Sequence, residues 1–331
     1  MRRLRPFIHA ADSGIEGAQA GAGRRPIRPA RLKPGDTVGI TAPASRGDAE
    51  AIRRSAEVFE ELGLKVRFGD SLNRGHGYLA GTDAERAAEL NDMFADPGIQ
   101  AIVCARGGYG TARIAEKLDY DQIRQHPKIL WGYSDITFLH AAIWKMTGLI
   151  TVHGPMMICL GDKDVHPLTR QSFAQLVRPK PFRYTEDITP LHTLVEGKAK
   201  GPLVGGNLTL LTSTLGTPFE IDTRGCLLFI EDIGEEPYRI DRMLNQLRMA
   251  GKLEQAAGIL VGDFRDCEPV KRPVSFTLEE VIRHYVTEAG RPSLMGFGIG
   301  HGSPNVAVPH GMEAELNTAD KKVEALESAI I

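Results

Sequence analysis

Short apolar strands alternate with helices through the first half of the chain, and this alternation is the strongest constraint on its fold. The predicted strands are Thr37–Thr41, Lys65–Phe68, residues 101–105, Ile129–Gly132 and residues 150–153. The predicted helices cover residues 48–62, 83–94, 111–118 and 135–146. Strands that alternate with helices form right-handed βαβ units on a parallel sheet. The sequence therefore predicts an α/β fold whose ligand site lies at the carboxyl ends of the strands.

The length of the chain, 331 residues, allows two domains with full cores. A proline-rich stretch of weak periodicity predicts a domain boundary in the middle of the chain. The predicted units are a flexible extension (residues 1–30), an N-terminal α/β domain (31–160), a linker (161–197) and a C-terminal domain (198–331). The last unit is predicted from strands at 226–231 and 258–261, helices at 239–249 and 278–289, and closing strands at 306–316 and 325–330.

Composition excludes several classes of function. The net charge is −2, and the basic residues are scattered, which argues against nucleic-acid and membrane-surface partners. The four cysteines lie far apart without a C-x-x-C pair, which predicts free thiols in a reducing compartment. Neither a membrane-length apolar run nor a signal peptide is visible, and metal-binding spacings are missing. We therefore expect a cytoplasmic protein that works without metal or cofactor.

Ser134 lies at a predicted corner between a strand and a helix. The strand Ile129–Gly132 turns through Tyr133 and Ser134, and the helix begins at Asp135. The first N–H groups of a helix have no internal partners and its dipole is positive there, so negative charge beside Ser134 would be stabilised. This environment suits a nucleophilic serine. The same position is also typical of a serine that only caps a helix.

A serine nucleophile needs a base, usually histidine, and an acidic group that orients the base. An apolar strand ends in Glu231 and Asp232, and two carboxylates at such a strand end must be solvated, paired or catalytic. His301 lies in a glycine-flanked turn after another apolar strand and is the leading candidate for the base. His153 and His310 are the competing histidines.

Backbone N–H groups can form an oxyanion hole, and Asp135 and the loop of Gly107 and Gly108 are the candidates for it. The glycine loop also fits a helix entry or a phosphate nest, but it lacks the Lys and Ser/Thr of a P-loop. Arg239 and Arg242 begin a predicted helix, where they either form solvated ion pairs or bind a substrate carboxylate.

Six motifs make the chain resemble the LD-carboxypeptidases of murein recycling, a family of serine peptidases that includes the microcin C immunity proteins. In order, they are L-K-P-G-D at 32–36 with A-P at 42–43, R-G-G-Y-G at 106–110, G-Y-S-D at 132–135, G-G-N-L at 205–208, Y-R-I-D-R-M-L at 238–244 and G-H-G at 300–302. The resemblance implies that Ser134 is the nucleophile, His301 the base and Glu231 its acidic partner. Candidates for substrate binding are Arg106, Asn207, Arg239 and Arg242.

The resemblance also implies a flavodoxin-like parallel-sheet N-terminal domain, a smaller β-rich α/β C-terminal domain, and a homodimer. The implied reaction is hydrolysis of the amide between an L-centre and a C-terminal D-amino acid, typically release of D-alanine from a murein tetrapeptide. Two alternatives remain: a microcin-type hydrolase of aminoacyl-nucleotide amides, and a non-catalytic peptide-binding protein. Trp131 and Trp144, the two tryptophans, belong to the predicted Ser134 core, so a platform for adenine is not visible and the murein peptide is favoured.

Overall fold

The structure, a computed structural model, describes residues 25–161, 165–272 and 274–331. Its strands are β1 (Thr37–Thr41), β2 (Lys65–Phe68), β3 (Ala101–Cys104), β4 (Ile129–Gly132), β5 (Thr151–His153), β6 (Pro181–Thr185), β7 (His192–Val195), β8 (Lys198–Asn207), β9 (Leu227–Ile233), β10 (Gly258–Arg265), β11 (Ser293–Met295), β12 (Val308–His310), β13 (Glu313–Asn317) and β14 (Lys322–Ser328). Its α-helices are α1 (Ala49–Arg54), α2 (Glu57–Glu61), α3 (Asp83–Ala95), α4 (Tyr120–Gln125), α5 (Thr137–Thr147), α6 (Pro167–Gln171), α7 (Leu208–Ser213), α8 (Pro237–Met249), α9 (Lys252–Gln255) and α10 (Leu278–Ala289). Short 3₁₀ helices cover Asp70–Leu72, Ala115–Lys117, Ser134–Ile136, Met157–Leu160 and Ser172–Leu176.

The first sheet has the order β2-β1-β3-β4-β5-β12. Strands β1 to β5 are parallel, in the 2-1-3-4-5 order of flavodoxin-like folds, and β12 joins β5 antiparallel at the edge. One face packs against α1, α2 and the segment around Phe173, and the other against α3, α4 and α5. The predicted flavodoxin-like domain is confirmed, and the loops after β3 and β4 leave the sheet at its carboxyl edge.

The second sheet has the order β6-β14-β13-β8-β9-β10-β11-β7. Its central strands β8 to β11 are parallel, and the outer strands are antiparallel. Helices α7, α8 and α10 bury their apolar residues against one face. The predicted second α/β unit rich in strands is therefore present, with eight strands against six in the first sheet.

The prediction of a linker over residues 161–197 is wrong. This segment contains β6 and β7, which lie at opposite edges of the second sheet, and Phe173, which stacks on Trp131 in the first core at 5.1 Å. β6 pairs with β14 and β7 with β11, more than 90 residues further along the chain. Such strands are stabilised by distant partners, so their local sequence carries only a weak signal.

Three further predictions need correction or limitation. The helix predicted over 48–62 is divided into α1, which ends at Arg54, and α2, which begins at Glu57. The helix predicted over 111–118 is reduced to a 3₁₀ turn. Residues 1–24 of the predicted extension lie outside the described residues, whereas residues 25–30 contact the folded body through hydrogen bonds of Ile27 with Gly148 and Ile150. Within the described part of the chain, no helix has the length and apolar character of a membrane span.

Candidate active site

Ser134 occupies a strained corner at the end of β4. Its φ angle is +62°, in the left-handed region that residues with a side chain rarely adopt. A 3₁₀ turn begins at Ser134 and leads into α5, whose N-cap is Ile136 and makes no side-chain cap bond. The capping interpretation of Ser134 is therefore wrong for α5. A strained strand-to-helix turn is the geometry that presents a nucleophilic serine in other hydrolases.

The loop after β3 lies directly against this corner. A Cβ atom on Gly107 would lie 2.9 Å from Ser134 Cβ and 3.2 Å from Asp135 N, so only glycine allows this close approach. Thr111 fixes the far end of the loop, because its N–H donates to Asp135 Oδ2 at 2.9 Å and its hydroxyl to Asp135 O at 2.6 Å. Burial raises the pKa of Asp135, and the bonds from Thr111 offset part of that increase.

Arg86 connects the same loop to the loop after β1. Its guanidinium is fully buried and donates to Pro43 O, to Gly110 O at 2.9 Å and to Asp83 Oδ1 at 2.6 Å. The hydroxyl of Ser45, in the loop after β1, accepts a bond from Tyr109 N at 3.1 Å. The predicted oxyanion loop is therefore supported from two sides, by the buried bonds of Arg86 and by an exposed bond to Ser45.

Glu231 and His301 form a buried pair at the carboxyl edge of the second sheet. His301 Nδ1 lies 2.7 Å from Glu231 Oε2, and the exposed fractions of the two side chains are 12% and 0%. Burial raises the pKa of Glu231, while the bond from His301 lowers it. Burial alone would lower the pKa of His301, but the hydrogen bond and charge of Glu231 more than offset it, so that the pKa of His301 is raised.

Gly300 makes this pairing possible. Its φ angle is +111°, and a Cβ atom there would lie 2.8 Å from Glu231 Cδ. The glycine thus lets the backbone of the turn pass beside the carboxylate and direct His301 onto it.

Asp232 points to the opposite face of β9 and has a structural environment. Its carboxylate accepts bonds from Asn207 Nδ2, Thr209 N, Thr209 Oγ1 and Ile233 N, all at 2.8 to 2.9 Å. Asn207 is the N-cap of α7 and also accepts from Leu210 N. Both polar groups of the Asn207 side chain are thus engaged within the protein. Alternation along the strand therefore places the two adjacent carboxylates of Glu231 and Asp232 in different environments.

His301 and Ser134 come from different domains and meet through Tyr133. The ring of His301 lies 4.8 Å from the ring of Tyr133, the residue before Ser134. Two neighbours on β10, which the sequence analysis did not select, complete this turn. Arg265 Nη1 donates to His301 O at 3.1 Å, and the Asp263 carboxylate lies close to Gly302. Both follow a predicted strand end, as Glu231 does, so the same rule could have found them.

The competing histidines are deeper in the molecule. His153 and His310 are both fully buried, and burial holds their pKa values well below the ordinary range. His140 lies between them and donates from Nε2 to Gly132 O at 2.8 Å. Burial lowers its pKa to about 4. Among the three candidates for the base, His301 is the one with an exposed part and a carboxylate in direct contact.

The candidate arginines lie apart from one another. Arg239 and Arg242 line a surface cavity of about 370 Å³ together with Thr209, Glu235, Tyr238 and Met243. Arg239 pairs with Glu235 at 3.1 Å, and Arg242 lies over the Tyr238 ring. Arg106 lies on the first domain, where it donates to Arg46 O at 3.0 Å. Among residues 25–161, 165–272 and 274–331, no three His, Cys, Asp or Glu side chains are arranged to hold a metal ion.

Comparisons with known proteins agree with this two-domain hydrolase geometry. The family model for the LD-carboxypeptidase N-terminal domain matches residues 38–154, and that for the C-terminal domain matches residues 200–316. The chain is 60% identical to the "Probable murein peptide carboxypeptidase" of Bacillus subtilis over 89% of this chain and 92% of that protein. It is 32% identical to the "Murein tetrapeptide carboxypeptidase" of Pseudomonas aeruginosa over 84% of this chain and 92% of that protein.

A solved structure shares the fold as well. The structure of MccF in complex with glutamyl sulfamoyl guanosine matches with a TM-score of 0.84 at 27% identity, over 92% of this chain and 100% of that chain. Fold and site define a two-domain hydrolase of the serine type. The chain belongs to the LD-carboxypeptidase family.

Proposed function

We propose that this protein is a serine carboxypeptidase that hydrolyses the amide between an L-centre and a C-terminal D-amino acid, releasing D-alanine from murein tetrapeptide in peptidoglycan recycling. The observation that carries the proposal is the buried pair of Glu231 and His301, 2.7 Å apart, packed against the residue before Ser134. The 60% identity to a probable murein peptide carboxypeptidase supports the substrate class.

In the proposed reaction, His301 acts as the base. Its Nδ1–H donates to Glu231, so Nε2 carries the free lone pair that accepts the proton of the Ser134 hydroxyl. Ser134 Oγ attacks the carbonyl carbon, and His301 then gives the proton to the nitrogen of the leaving D-amino acid as the C–N bond breaks. A water molecule, deprotonated by His301, hydrolyses the resulting ester and restores the Ser134 hydroxyl.

The oxyanion of the tetrahedral intermediate is proposed to bind the N–H of Asp135 and the loop of Gly107 and Gly108. The close approach of Gly107 to Ser134 and to Asp135 N supports this arrangement. The left-handed backbone at Ser134 is held before substrate binds, so the donors need little reorganisation during reaction.

The terminal carboxylate of the peptide is proposed to be bound by one of the arginines. Arg239 and Arg242 border a surface cavity that Thr209 also lines, and Arg106 lies beside the glycine loop, so all three are candidates. The contribution of Asn207 is proposed to be indirect, because its side chain supports Asp232.

We also propose that the protein acts in the cytoplasm as a homodimer. The four cysteines are free, which suits a reducing compartment. The dimer follows from the family resemblance alone, and light scattering after size exclusion tests it: a mass near twice 36.1 kDa is expected.

The direct test is mass spectrometry of L-Ala-γ-D-Glu-meso-diaminopimelate-D-Ala incubated with the purified protein. Loss of one D-alanine is expected with wild type and not with Ser134→Ala. An unchanged tetrapeptide with well-folded wild type would contradict the proposal.

A second candidate substrate is an aminoacyl-nucleotide amide of the microcin type. Tyr78 and Tyr109 support it, because they form an exposed aromatic pair, 5.7 Å apart, beside the glycine loop. Such a pair could stack on a nucleobase, in contrast with the fully buried Trp131. Cleavage of glutamyl sulfamoyl adenosine without cleavage of the tetrapeptide would favour this substrate. If the protein only binds peptides, a serine-directed acylating probe should not label it. Labelling that is lost in Ser134→Ala would rule out this alternative.

A further inference from the structure

Glu231 uses only one of its two oxygens in the pair with His301. Oε2 faces His301 Nδ1, whereas Oε1 is buried and, within the described residues, has no hydrogen-bond partner. A buried carboxylate oxygen without a donor loses its hydration and gains nothing in return, which disfavours the charged form. The proposed role of Glu231 requires that charged form. Another group must therefore stabilise it.

His153 is placed to supply that stabilisation. Its Nε2 lies 4.0 Å from Glu231 Oε1, and both side chains are fully buried. The imidazole is held by its surroundings: its ring packs edge-on against Phe229 at 5.2 Å and Tyr133 at 5.9 Å. Phe229 belongs to the same strand as Glu231, and Tyr133 precedes Ser134. His153 thus lies at the seam where the two domains form the site.

The separation of 4.0 Å is longer than a direct hydrogen bond, but a small rotation of either side chain closes it. Catalytic hydrogen bonds are often long in a protein without substrate and tighten when substrate binds. A carboxylate can only accept, so a neutral imidazole facing it is favoured with its proton on Nε2. Neither ring nitrogen of His153 has another partner within the described residues.

We propose that His153 is a positioning residue for the catalytic acid, whose neutral imidazole donates from Nε2 to Glu231 Oε1 and leaves Oε2 to His301. This inference rests on the proposed function, because it assumes that Glu231 orients His301. The first domain then contributes twice to the triad. It supplies the nucleophile Ser134, and it supplies His153, the hydrogen-bond donor that holds Glu231 of the second domain.

Other titratable groups around the pair set the background of any pH measurement. Asp232 and Asp263 act on His301 from β9 and β10, and Arg265 acts on Asp263 from β10. On the side of the first sheet, Tyr133, His140 and His310 face the cluster. All of these groups remain in place in a His153 variant, so a change in the titration of His301 reports the loss of one donor.

The first test uses the wild-type protein. Long-range ¹⁵N–¹H correlation of histidine-labelled protein distinguishes the two neutral tautomers of each imidazole. We expect His153 to stay neutral with its proton on Nε2 across the range in which His301 titrates. A proton on Nδ1 would overturn the proposal, whatever the fate of any variant.

The second test compares His153→Gln, whose amide nitrogen replaces Nε2, with His153→Met, which has similar length and no donor. Without the donor, the state with neutral His301 and charged Glu231 is destabilised most, so the pKa of the His301–Glu231 pair rises in His153→Met. We expect its acid limb of kcat/KM to move to higher pH and its kcat to fall on the order of 10-fold. His153→Gln should remain close to wild type.

His310→Met is the matched control, because His310 is equally buried but its ring contacts involve His140, Trp144 and Phe229 rather than Glu231. It should leave the titration of His301 unchanged. An unshifted His301 in folded His153→Met, or an equal shift in His310→Met, would overturn the positioning role. If wild type does not cleave the tetrapeptide, the proposed substrate fails, while the tautomer and the His301 titration still decide the role of His153.

Discussion

The corner at Ser134 and the pair of Glu231 and His301 are built in opposite ways. The corner is local: a strand, a left-handed residue and a helix follow one another between residues 129 and 147, and the neighbouring glycine loop fits against them. The pair joins residues 70 positions apart and depends on burial and on one hydrogen bond of 2.7 Å. The first arrangement is held by backbone geometry and the second by electrostatics, so they should respond differently to substitution and to pH.

The largest effect is expected when a reacting group of either region is removed. Ser134→Ala and His301→Ala should each reduce kcat on the order of 10³-fold or more while the protein still folds. Steady-state kinetics with the tetrapeptide and circular dichroism measure the two properties. Near-wild-type turnover in either variant would rule out the proposed mechanism.

The adjacent carboxylates on β9 give a sharper test of the electrostatic region. Glu231→Gln should lower kcat about 10²-fold or more, since the imidazolium that forms on His301 loses its counter-charge. Asp232→Asn should act mainly on stability, because Asp232 accepts three bonds from Asn207 and Thr209 that hold the start of α7. Steady-state kinetics and thermal unfolding of both variants test whether Glu231 acts on catalysis and Asp232 on stability. Equal losses of kcat would contradict this assignment of roles to the two faces of β9.

The geometric region is tested by adding one methyl group. Gly107→Ala would place a Cβ atom 2.9 Å from Ser134 Cβ, so either the loop or the serine must shift. Loss of one oxyanion donor typically costs about 10²-fold in kcat, and a loss of 10- to 100-fold is expected here. Gly108→Ala is a poor control, because it would clash with Ser45 and also has a positive φ. Gly35 also has a positive φ, like Gly108, but a Cβ atom there would meet no neighbour within 4 Å. Gly35→Ala should therefore leave kcat unchanged.

The smallest predicted effect is on pH dependence. Protonated His301 cannot act as a base, so kcat/KM falls as pH decreases through its pKa. Glu231 raises that pKa, and the midpoint should therefore lie above the ordinary histidine value of 6.5. In Glu231→Gln, burial becomes the dominant influence and the midpoint of the residual activity should fall below 6.5. A midpoint that is the same in both proteins would mean that Glu231 does not set the titration of His301.

The comparison also explains what could be predicted from the sequence. The corner is encoded within a few consecutive residues, so its strand, turn and helix were predictable, although the left-handed angle of Ser134 was not. Glu231 was recognisable at the end of an apolar strand, its preference over Asp232 came from the family resemblance, and the structure gives the physical reason in the opposite faces of the two side chains. His301 was already favoured over His153 by its glycine-flanked turn, but its pairing with Glu231 joins distant segments and is visible only in the structure.

The missed features have separate physical causes. β6 and β7 were hidden in the predicted linker because their stability comes from partners far along the chain. The helix predicted from Thr111 is replaced by successive turns, in which Ile114 N donates to Thr111 O and Lys117 N to Ile114 O, while the N–H and hydroxyl of Thr111 donate to Asp135. Asp263 and Arg265 were overlooked because β10 extends to residue 265, four positions beyond the predicted end at 261.

β12 is a strand from the C-terminal part of the chain that belongs to the sheet of the N-terminal domain. It completes the edge of the first sheet beside β5, and its neighbour β13 pairs with β8 in the second. Neither sheet can therefore be finished until almost the whole polypeptide has been synthesised. We expect the two halves to unfold in one cooperative transition, and a truncation before residue 308 to leave the nucleophile domain with an unpaired strand edge and a tendency to aggregate.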